Sequence, residues 1–535
     1  MTHDPHRRRI LQASAGLVTG LAASALLPAA HAASAGKLAS TIAEARSGHI
    51  RGQRTDGLHV FRGIPYGANT ALTRFQAPRI EAPWRGVRDA TAFGANAPQS
   101  GHDGPGSEDC LFLNVTTPAL GDGKRRPILF YIHGGGFNNG SGSDPLYDGT
   151  QLCTHGDVVL VSVNHRLNAF GYLYLGEFDE RFTDSGNAGQ LDLVQALQWV
   201  REHAAEFGGD AGNVTVFGQS GGGAKIATLM AMPAAAGLFH RAWTMSGQQV
   251  TAAGPRAAAQ RARLYMDALG AADVDGLMRL PAAALVAALR TRDPSRVEYM
   301  HMYLGPVMDG DALPRHPFWP DAPAQSAAIP MVIGNTHDET RSFLGNDPAN
   351  FSLGWDDLPG KLRVQQFVDI DPREVVAEYR RLYPHYTPSE VFFAATTAGR
   401  SWRGAIEELE ARARGGNNTW AYQLDWYPRD VDGGDKRRAF HTLDIPLVFD
   451  NIARLGSRTG TSPAAQRVAD AMRDALLAFA RSGDPRTRAT SAWSPYSLQR
   501  RETMVFGATP LVQDDPRGGE RGLYQRVPFV QRGTF

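Results

Sequence analysis

The chain has 535 residues, which is enough for one large domain or for two domains of ordinary size. Hydrophobic residues make up 42% of it and charged residues 20%, as in an ordinary globular protein, and the formal net charge is +1. Because the charge is balanced and no basic block occurs, the composition argues against nucleic acid as a partner. The 58 glycines and 33 prolines are spread along the chain and predict many turns.

The segment 1–32 is predicted to be an export signal. Paired arginines in residues 6–12 (HRRRILQ) precede a mildly apolar run, and Ala30-His31-Ala32 supplies the small-x-small pattern that signal peptidase requires. The arginine pair predicts the twin-arginine route and a periplasmic or secreted protein. A disordered basic tail and a retained membrane anchor are the alternatives. No later run is apolar over 18 residues, so we expect no membrane-spanning segment in the mature chain.

Apolar runs ahead of loops predict four strands: 127–132 (PILFYI), 157–163 (DVVLVSV), 214–217 (VTVF) and 330–333 (PMVI). Helical periodicity lies between and after them, with one helix ending before the stop signals Gly483 and Pro485. Strands that alternate with helices predict an α/β fold, with a mostly parallel sheet covered on both faces. We predict one domain, 33–535, with helical insertions or a cap around 252–293 and 355–415.

The chain has two cysteines, Cys110 and Cys153. An exported protein could pair them, and two buried thiols are the alternative. Two thiols are too few for a disulfide framework in a chain of this length. We therefore expect the stability to come from the hydrophobic core.

The stretch 214–225 (VTVFGQSGGGAK) runs from a predicted strand into a helical segment and suggests two chemistries. A phosphate loop needs G-x-x-x-x-G-K-[ST], and Gly218 and Gly223 have that spacing, but Lys225 stands one place too late and no hydroxyl follows it. The nucleophile elbow G-x-S-x-G is matched at every position, with Gly218 and Gly222 flanking Ser220. The sequence therefore favours a serine nucleophile.

A second glycine-rich turn, residues 133–137 (HGGGF), directly follows the predicted strand PILFYI. Backbone N–H groups in such a turn can face a developing oxyanion, and a serine nucleophile needs such donors as well as a base and an orienting acid. A flexible turn is the alternative interpretation of the glycines. The two motifs together predict a serine hydrolase.

The chain resembles the type-B carboxylesterases, the α/β-hydrolase family that also contains the cholinesterases. The matching segments are FRGIPYG (61–67), SEDCLFLNV (107–115), HGGGF (133–137), VNHRLNAFGYL (163–173), FGGDAGNVTVFGQSGGG (207–223), FHRAWTMSGQ (239–248), GPVMDG (305–310), IGNTHDE (333–339) and FHTLDIPLVFDN (440–451). They follow the family's order along nearly the whole mature chain. The resemblance implies an α/β-hydrolase fold and hydrolysis of small-molecule carboxylic esters through an acyl-enzyme, with neither a metal ion nor an organic cofactor.

The resemblance also implies the roles of the site residues. Ser220 matches the nucleophile, His441 the base and Glu339 the acid, in the chain order expected of α/β-hydrolases. The oxyanion donors correspond to the N–H groups of three glycines, Gly135, Gly136 and Gly221. Two further residues, Ser246 and Asp444, resemble polar positions beside the triad. The alternative interpretation is that both are ordinary buried hydrogen-bonding residues.

With sixteen histidines in the chain, composition alone assigns no base. His133, His301 and His337 are rivals of His441, and Asp338 is the rival of its neighbour Glu339. Position inside the family motif decides for His441 and Glu339. Each rival is expected to be a loop, structural or solvated residue.

The chain departs from the family at several positions. No cysteine precedes Cys110 in the segment 93–99 (FGANAPQ), the following loop is short, and Gln219 stands where cholinesterases have glutamate. A choline-ester specialist is therefore not expected. Gly221 replaces a frequent alanine, which should be harmless because only its N–H is needed, and Lys225 is unusual and has no assigned role.

Three alternatives remain open. The enzyme could be specialised for a xenobiotic, a toxin or a polyester fragment, or it could hydrolyse amides. A non-catalytic binding homologue is the third class, although the intact triad and glycine turn argue against it.

Overall fold

A computed structural model describes residues 40–101, 106–294, 302–416 and 418–531. The predicted export signal, 1–32, lies outside these residues, as does His301. The strands are β1 (Ser40–Ala45), β2 (Gly48–Thr55), β3 (Leu58–Pro65), β4 (Val87–Asp89), β5 (Phe112–Thr117), β6 (Arg126–Ile132), β7 (Val159–Val163), β8 (Gly209–Gln219), β9 (Arg241–Met245), β10 (Met331–Thr336), β11 (Thr419–Leu424), β12 (Glu502–Phe506) and β13 (Leu511–Asp514).

The α-helices are α1 (Thr150–Gly156), α2 (Asn168–Tyr172), α3 (Ala188–His203), α4 (Gly221–Leu229), α5 (Pro255–Leu269), α6 (Val274–Arg279), α7 (Ala282–Ala288), α8 (Arg341–Leu344), α9 (Leu358–Gln365), α10 (Pro372–Leu382), α11 (Pro388–Thr397), α12 (Arg403–Arg414), α13 (Gly434–Arg437), α14 (Asp444–Val448), α15 (Pro463–Ser482) and α16 (Gly518–Tyr524). A π-helical turn, Ala398–Trp402, joins α11 to α12.

The strands form one mixed sheet in the order β1-β2-β3-β5-β7-β6-β8-β9-β10-β11-β12-β13, with β4 beside β2. Strands β7, β6, β8, β9, β10, β11 and β12 are mutually parallel, and antiparallel strands flank them on both sides. Because the carboxyl ends of parallel strands meet at one edge, the loops after β6, β8, β9 and β10 lie together.

Alternate side chains of the central strands enter two different hydrophobic clusters. In β6, Ile128, Phe130 and Ile132 pack in the cluster that contains side chains of α3 and α4. Leu129 and Tyr131 point the other way and pack in the cluster that contains side chains of α15. The sheet is therefore buried on both faces, which confirms the predicted α/β architecture.

The four predicted strands correspond to β6, β7, β8 and β10, with some differences at their ends. β7 begins at Val159 because Asp157 has a left-handed backbone (φ 44°) that ends α1. β8 begins at Gly209, before the predicted VTVF run, because a register irregularity lets Gly209 pair with Arg126. α15 ends as predicted, at Ser482, before a left-handed Gly483 (φ 79°).

The two segments predicted to be helical contain seven helices. α5, α6 and α7 lie within 252–293, and α9, α10, α11 and α12 lie within 355–415. Cys110 and Cys153 are free thiols, and both are buried. In the described ranges, no helix is both long and apolar enough to cross a membrane.

Candidate active site

Ser220 lies on a sharp turn between β8 and α4. Its backbone (φ 56°, ψ −125°) is one that L-residues rarely adopt, and the surrounding hydrogen bonds hold it there. The N–H of Ser220 donates to the carbonyl of Met245 at 2.8 Å, and α4 begins at the next residue. A Cβ on Gly222 would lie 2.0 Å from the carbonyl oxygen of Ile132, so the second glycine of G-x-S-x-G is sterically required. The geometry is that of the predicted nucleophile elbow.

The HGGGF turn follows β6 and lies beside the serine turn. Gly135 and Gly136 both have left-handed backbones, with φ of 87° and 61°. The carbonyl of Gly135 accepts hydrogen bonds from the N–H groups of Asn138 and Asn139, both at 3.2 Å. Within the described residues the N–H groups of Gly135 and Gly136 have no hydrogen-bond acceptor. Both amides are thus unpaired in the described ranges, and Gly136 lines the cavity that also contains Ser220.

Glu339 is fully buried in the turn after β10 and is bound through both of its oxygens. Oε1 accepts from the backbone N–H of Thr336 at 3.0 Å and from Asn335 Nδ2 at 3.3 Å. Oε2 forms a short hydrogen bond with Nδ1 of His441. Because a carboxylate oxygen accepts, Nδ1 donates this hydrogen bond, and Nε2 of an imidazole protonated only on Nδ1 is an acceptor.

His441 lies in the loop before α14, and its Nε2 faces the end of β8. Nε2 of Gln219 lies 3.2 Å from it and 3.5 Å from Nδ1 of the same ring. Among the described contacts of His441, none is a hydrogen bond with Ser220 Oγ. The ring of Phe343 packs on the imidazole, with 4.8 Å between ring centroids, and is 52% exposed.

These side chains face one open cavity of about 290 Å³. Six of the predicted site residues line it: Gly136, Ser220, Gly221, Ser246, Glu339 and His441. Gly135 and Asp444 lie outside its wall. The rest of the wall includes five aromatic residues, Phe137, Tyr303, Phe343, Phe367 and Phe529, and the polar side chains of Gln248, Gln249, Arg400, Ser401 and Gln531. The volume is at the lower end of the range of about 300–1,000 Å³ typical of small-molecule sites.

The rivals of the predicted base and acid lie elsewhere. His337 Nδ1 is 3.0 Å from Asp338 Oδ2, and Asp338 also pairs with Arg341 at 3.0 Å. His133 Nδ1 donates to the carbonyl of Gly134 at 2.9 Å, and its ring stacks on another imidazole. None of these residues lines the cavity, so among the described histidines only His441 faces it.

Ser246 and Asp444 occupy different positions around the triad residues. Ser246 Oγ accepts from the N–H of Thr336 at 3.4 Å and lines the cavity. Asp444 is fully buried and accepts from Tyr422 Oη at 2.9 Å. Burial, followed by the charge of Glu339, raises the pKa of Asp444 to about 7.

Gly221 lies directly against the HGGGF turn. The sequence predicts that a glycine in place of the family's frequent alanine is harmless, because only the N–H of residue 221 is needed. In the structure, a Cβ on residue 221 would lie 2.1 Å from the carbonyl oxygen of Gly136. The glycine is therefore required by the close approach of the HGGGF turn to α4, and an alanine would displace that turn.

Three contacts of the site were not predicted from the sequence. Gln219 was noted only as a departure from the cholinesterases, and its proximity to His441 depends on how two distant loops meet. Asn335 lies in the IGNTHDE motif but gave no separate signal. Lys225 was noted as unusual and without a role. In the structure its Nζ donates to the carbonyls of Gly136 at 2.8 Å and His133 at 3.3 Å.

In the part of the chain that the structure describes, no three His, Cys, Asp or Glu side chains gather into a set suited to a metal ion. The groups around Ser220 are instead one imidazole, one buried carboxylate and backbone amides. Such groups suit proton transfer and stabilisation of an oxyanion.

A largely parallel sheet with helices on both faces and a serine turn after a central strand defines an α/β-hydrolase fold. The crystal structure of a carboxylesterase from Geobacillus stearothermophilus matches it with a TM-score of 0.80 at 37% identity, over 91% of this chain and 100% of that one. Para-nitrobenzyl esterase of Bacillus subtilis (strain 168) is 34% identical over 493 residues, covering 89% of this chain and 96% of that protein. Fumonisin B1 esterase of Sphingopyxis macrogoltabida is 32% identical over 484 residues, covering 86% of each.

The model of the carboxylesterase family matches residues 39–520. The chain belongs to the carboxylesterase family and is a carboxylic ester hydrolase that acts on small-molecule esters.

Proposed function

We propose that this hydrolase is a serine esterase in which Ser220 is the nucleophile, His441 the general base and Glu339 the orienting acid. The observation that carries the proposal is the buried pair of His441 and Glu339, which faces the same cavity as the serine on its strained turn.

In the first half of the reaction, Ser220 Oγ attacks the ester carbonyl while His441 Nε2 takes its proton. Glu339 keeps the other imidazole proton on Nδ1 and stabilises the imidazolium. The imidazolium then gives its proton to the leaving alcohol as the C–O bond breaks. In the second half, water loses a proton to His441 and attacks the acyl-enzyme, and the acid product leaves with Ser220 restored.

The oxyanion of each tetrahedral intermediate is bound by the N–H groups of Gly135, Gly136 and Gly221. Gly221 opens α4, where the first N–H groups lack partners within the helix. The amides of Gly135 and Gly136 have no acceptor in the described structure and so cost no internal hydrogen bond when they bind an oxyanion. One such donor typically contributes about 3 kcal/mol to lowering the barrier.

The aromatic wall of the cavity favours esters with an aromatic or alkyl group close to the carbonyl. The rings of Phe137, Phe343 and Phe529 offer apolar surface. The sequence does not predict a choline-ester specialist. Hydrolysis of a xenobiotic, a toxin or a polyester fragment, and of amides, remains the second candidate. The similarity of the chain to a fumonisin B1 esterase supports a toxin ester as one candidate substrate.

A hydrolysis panel tests the proposal with p-nitrophenyl esters of increasing acyl length, aromatic diesters, choline esters and anilides. We expect the wild-type protein to hydrolyse the aryl and aromatic esters best, and the Ser220→Ala variant to lose several orders of magnitude in kcat/KM. Ser462→Ala is the matched control, because Ser462 only caps α15 through the N–H of Ala465. Full activity in Ser220→Ala would contradict the proposed nucleophile.

We infer from the arginine pair in residues 6–12 that the enzyme is exported by the twin-arginine route to the periplasm or the medium. Replacing Arg7 and Arg8 together with lysine should retain the enzyme in the cytoplasm, as measured by activity in cell fractions. Unchanged export of the double variant would contradict this inference.

A further inference from the structure

Lys225 lies one helical turn after Gly221 on α4, and its side chain is fully buried. Residues four apart lie on the same face of a helix, so both face the HGGGF turn. Lys225 does not line the substrate cavity. Among the described residues no carboxylate forms an ion pair with it, so the partners of its amino group are backbone carbonyls.

The amino group contacts both ends of the His133–Gly136 turn. Nζ donates to the carbonyl of Gly136 at 2.8 Å and to that of His133 at 3.3 Å. It also lies over the ring of Phe137, 5.6 Å from the centroid. Burial lowers the pKa of Lys225 to about 7. Both protonation states keep at least two N–H donors, which is enough for the two carbonyls.

Every carbonyl of the turn has a donor inside the protein. Lys225 donates to the carbonyls of His133 and Gly136. The side chain of His133 donates to the carbonyl of Gly134, and two backbone amides donate to that of Gly135. In a trans peptide the N–H points opposite to the C=O. Carbonyls directed into the protein therefore turn the N–H groups of Gly135 and Gly136 outward, and Lys225 fixes the peptide units on either side of them.

Gly221 makes this arrangement possible. A Cβ at residue 221 would lie 2.1 Å from the carbonyl oxygen of Gly136, the same oxygen that accepts from Lys225. The missing side chain lets the turn approach α4, and the lysine then binds it there. The two residues thus act on a single carbonyl.

Resting on the function proposed above, we propose that Lys225 is a positioning residue of the oxyanion hole: by binding the carbonyls of His133 and Gly136 it sets where the N–H groups of Gly135 and Gly136 point. Lys225 acts through the backbone and does not contact the substrate. Its removal should weaken binding of the transition state more than binding of the substrate.

The test compares Lys225→Met with the wild-type protein. We expect kcat for a p-nitrophenyl ester to fall about 10- to 100-fold, which is no more than the loss caused by removing one oxyanion donor. Affinity for an aryl trifluoromethyl ketone, which binds serine as a tetrahedral oxyanion, should fall by a similar factor. KM and the affinity for a competing alcohol should change less than about threefold, because neither the intact bound ester nor the bound alcohol carries an oxyanion.

Arg412→Met is the matched control. Arg412 is another fully buried cation on a helix, and it donates to the carbonyl of Ile329 at 2.6 Å and to Thr419 Oγ1 at 2.7 Å, outside the cavity wall. It should lower the melting temperature without changing the ketone-to-alcohol affinity ratio. If Lys225→Met does not fold, Lys225→Gln, which keeps a shorter amide donor, should show an intermediate loss of ketone affinity.

A double-mutant cycle with Gly221→Ala gives a second readout. Because both residues act on the Gly136 carbonyl, the double variant should lose no more ketone affinity than the worse single variant. Additive losses, or a folded Lys225 variant with wild-type ketone affinity and kcat, would overturn the proposal. If the wild-type protein forms no adduct at Ser220 with the ketone or with a fluorophosphonate, the proposed function fails as well, which separates the two outcomes.

Discussion

Nε2 of Gln219 lies 3.2 Å from Nε2 of His441, the imidazole nitrogen that we propose accepts the proton of Ser220. Nδ1 of His441 is bound to Glu339, so the side-chain amide of Gln219 is the hydrogen-bond donor beside Nε2 of the imidazole. In the proposed mechanism, Ser220 Oγ therefore has to replace Gln219 as the partner of this nitrogen. Residue 219 is thus placed to influence how readily the imidazole takes up a proton.

Replacing Gln219 by glutamate puts a carboxylate beside the imidazole. The negative charge stabilises the imidazolium, so the acid limb of the kcat/KM profile should move to higher pH by at least about one unit. Gln219→Met adds no charge and should leave the limb in place, which makes it the control. Profiles measured from pH 4 to pH 9 decide the matter, and an acid limb unmoved in Gln219→Glu would contradict the contact.

Replacing His441 by alanine should lower kcat by several orders of magnitude, because no other described histidine faces the cavity. His337→Ala should keep most of the activity, since His337 pairs with Asp338 outside the cavity. Steady-state kinetics of the two variants tests the assignment of the base. The reverse pattern, with only His337→Ala inactive, would refute it.

Asp444 should make the protein less stable as the pH rises. Its pKa is raised to about 7 by burial and by Glu339, so the folded state binds this proton more tightly than the unfolded state does. The free-energy cost of ionising Asp444 in the folded protein is absent below the pKa that this residue has in the unfolded state, and it is complete above pH 7. It amounts to roughly 4 kcal/mol at 1.36 kcal/mol per pKa unit.

Asp444→Asn removes that cost. The variant should have a melting temperature close to that of the wild-type protein at pH 4.5 and a higher one at pH 8. Tyr422→Phe deletes the hydrogen bond that favours the ionised form, so its melting temperature should fall more steeply with pH than that of the wild-type protein. If the melting temperatures of all three proteins changed equally with pH across this range, Asp444 would not titrate as described.

Much of the site could be predicted because its parts are coded by contiguous residues. The elbow needs Gly222 next to the carbonyl of Ile132, and the HGGGF turn needs left-handed backbone at Gly135 and Gly136, so the glycines are visible in the sequence. The apolar strands that alternate with helical segments likewise predicted a sheet covered on both faces. Family motifs then selected Glu339 and His441 from many acids and histidines.

The remaining features depend on contacts between distant parts of the chain. Lys225 meets carbonyls 92 and 89 positions away, and Gln219 meets an imidazole 222 positions away. No local pattern reports such distances. The same limit applies to Gly221, whose close approach to Gly136 no local pattern in the sequence indicates.

The central claim is that Ser220 is an activated nucleophile, and a fluorophosphonate probe tests it most directly. Folded wild-type protein should gain the mass of one phosphonyl group, peptide mapping should place it on Ser220, and the Ser220→Ala variant should remain unlabelled. A folded, esterolytic wild-type protein that stays unmodified at Ser220, or that is labelled on another residue, would contradict the claim.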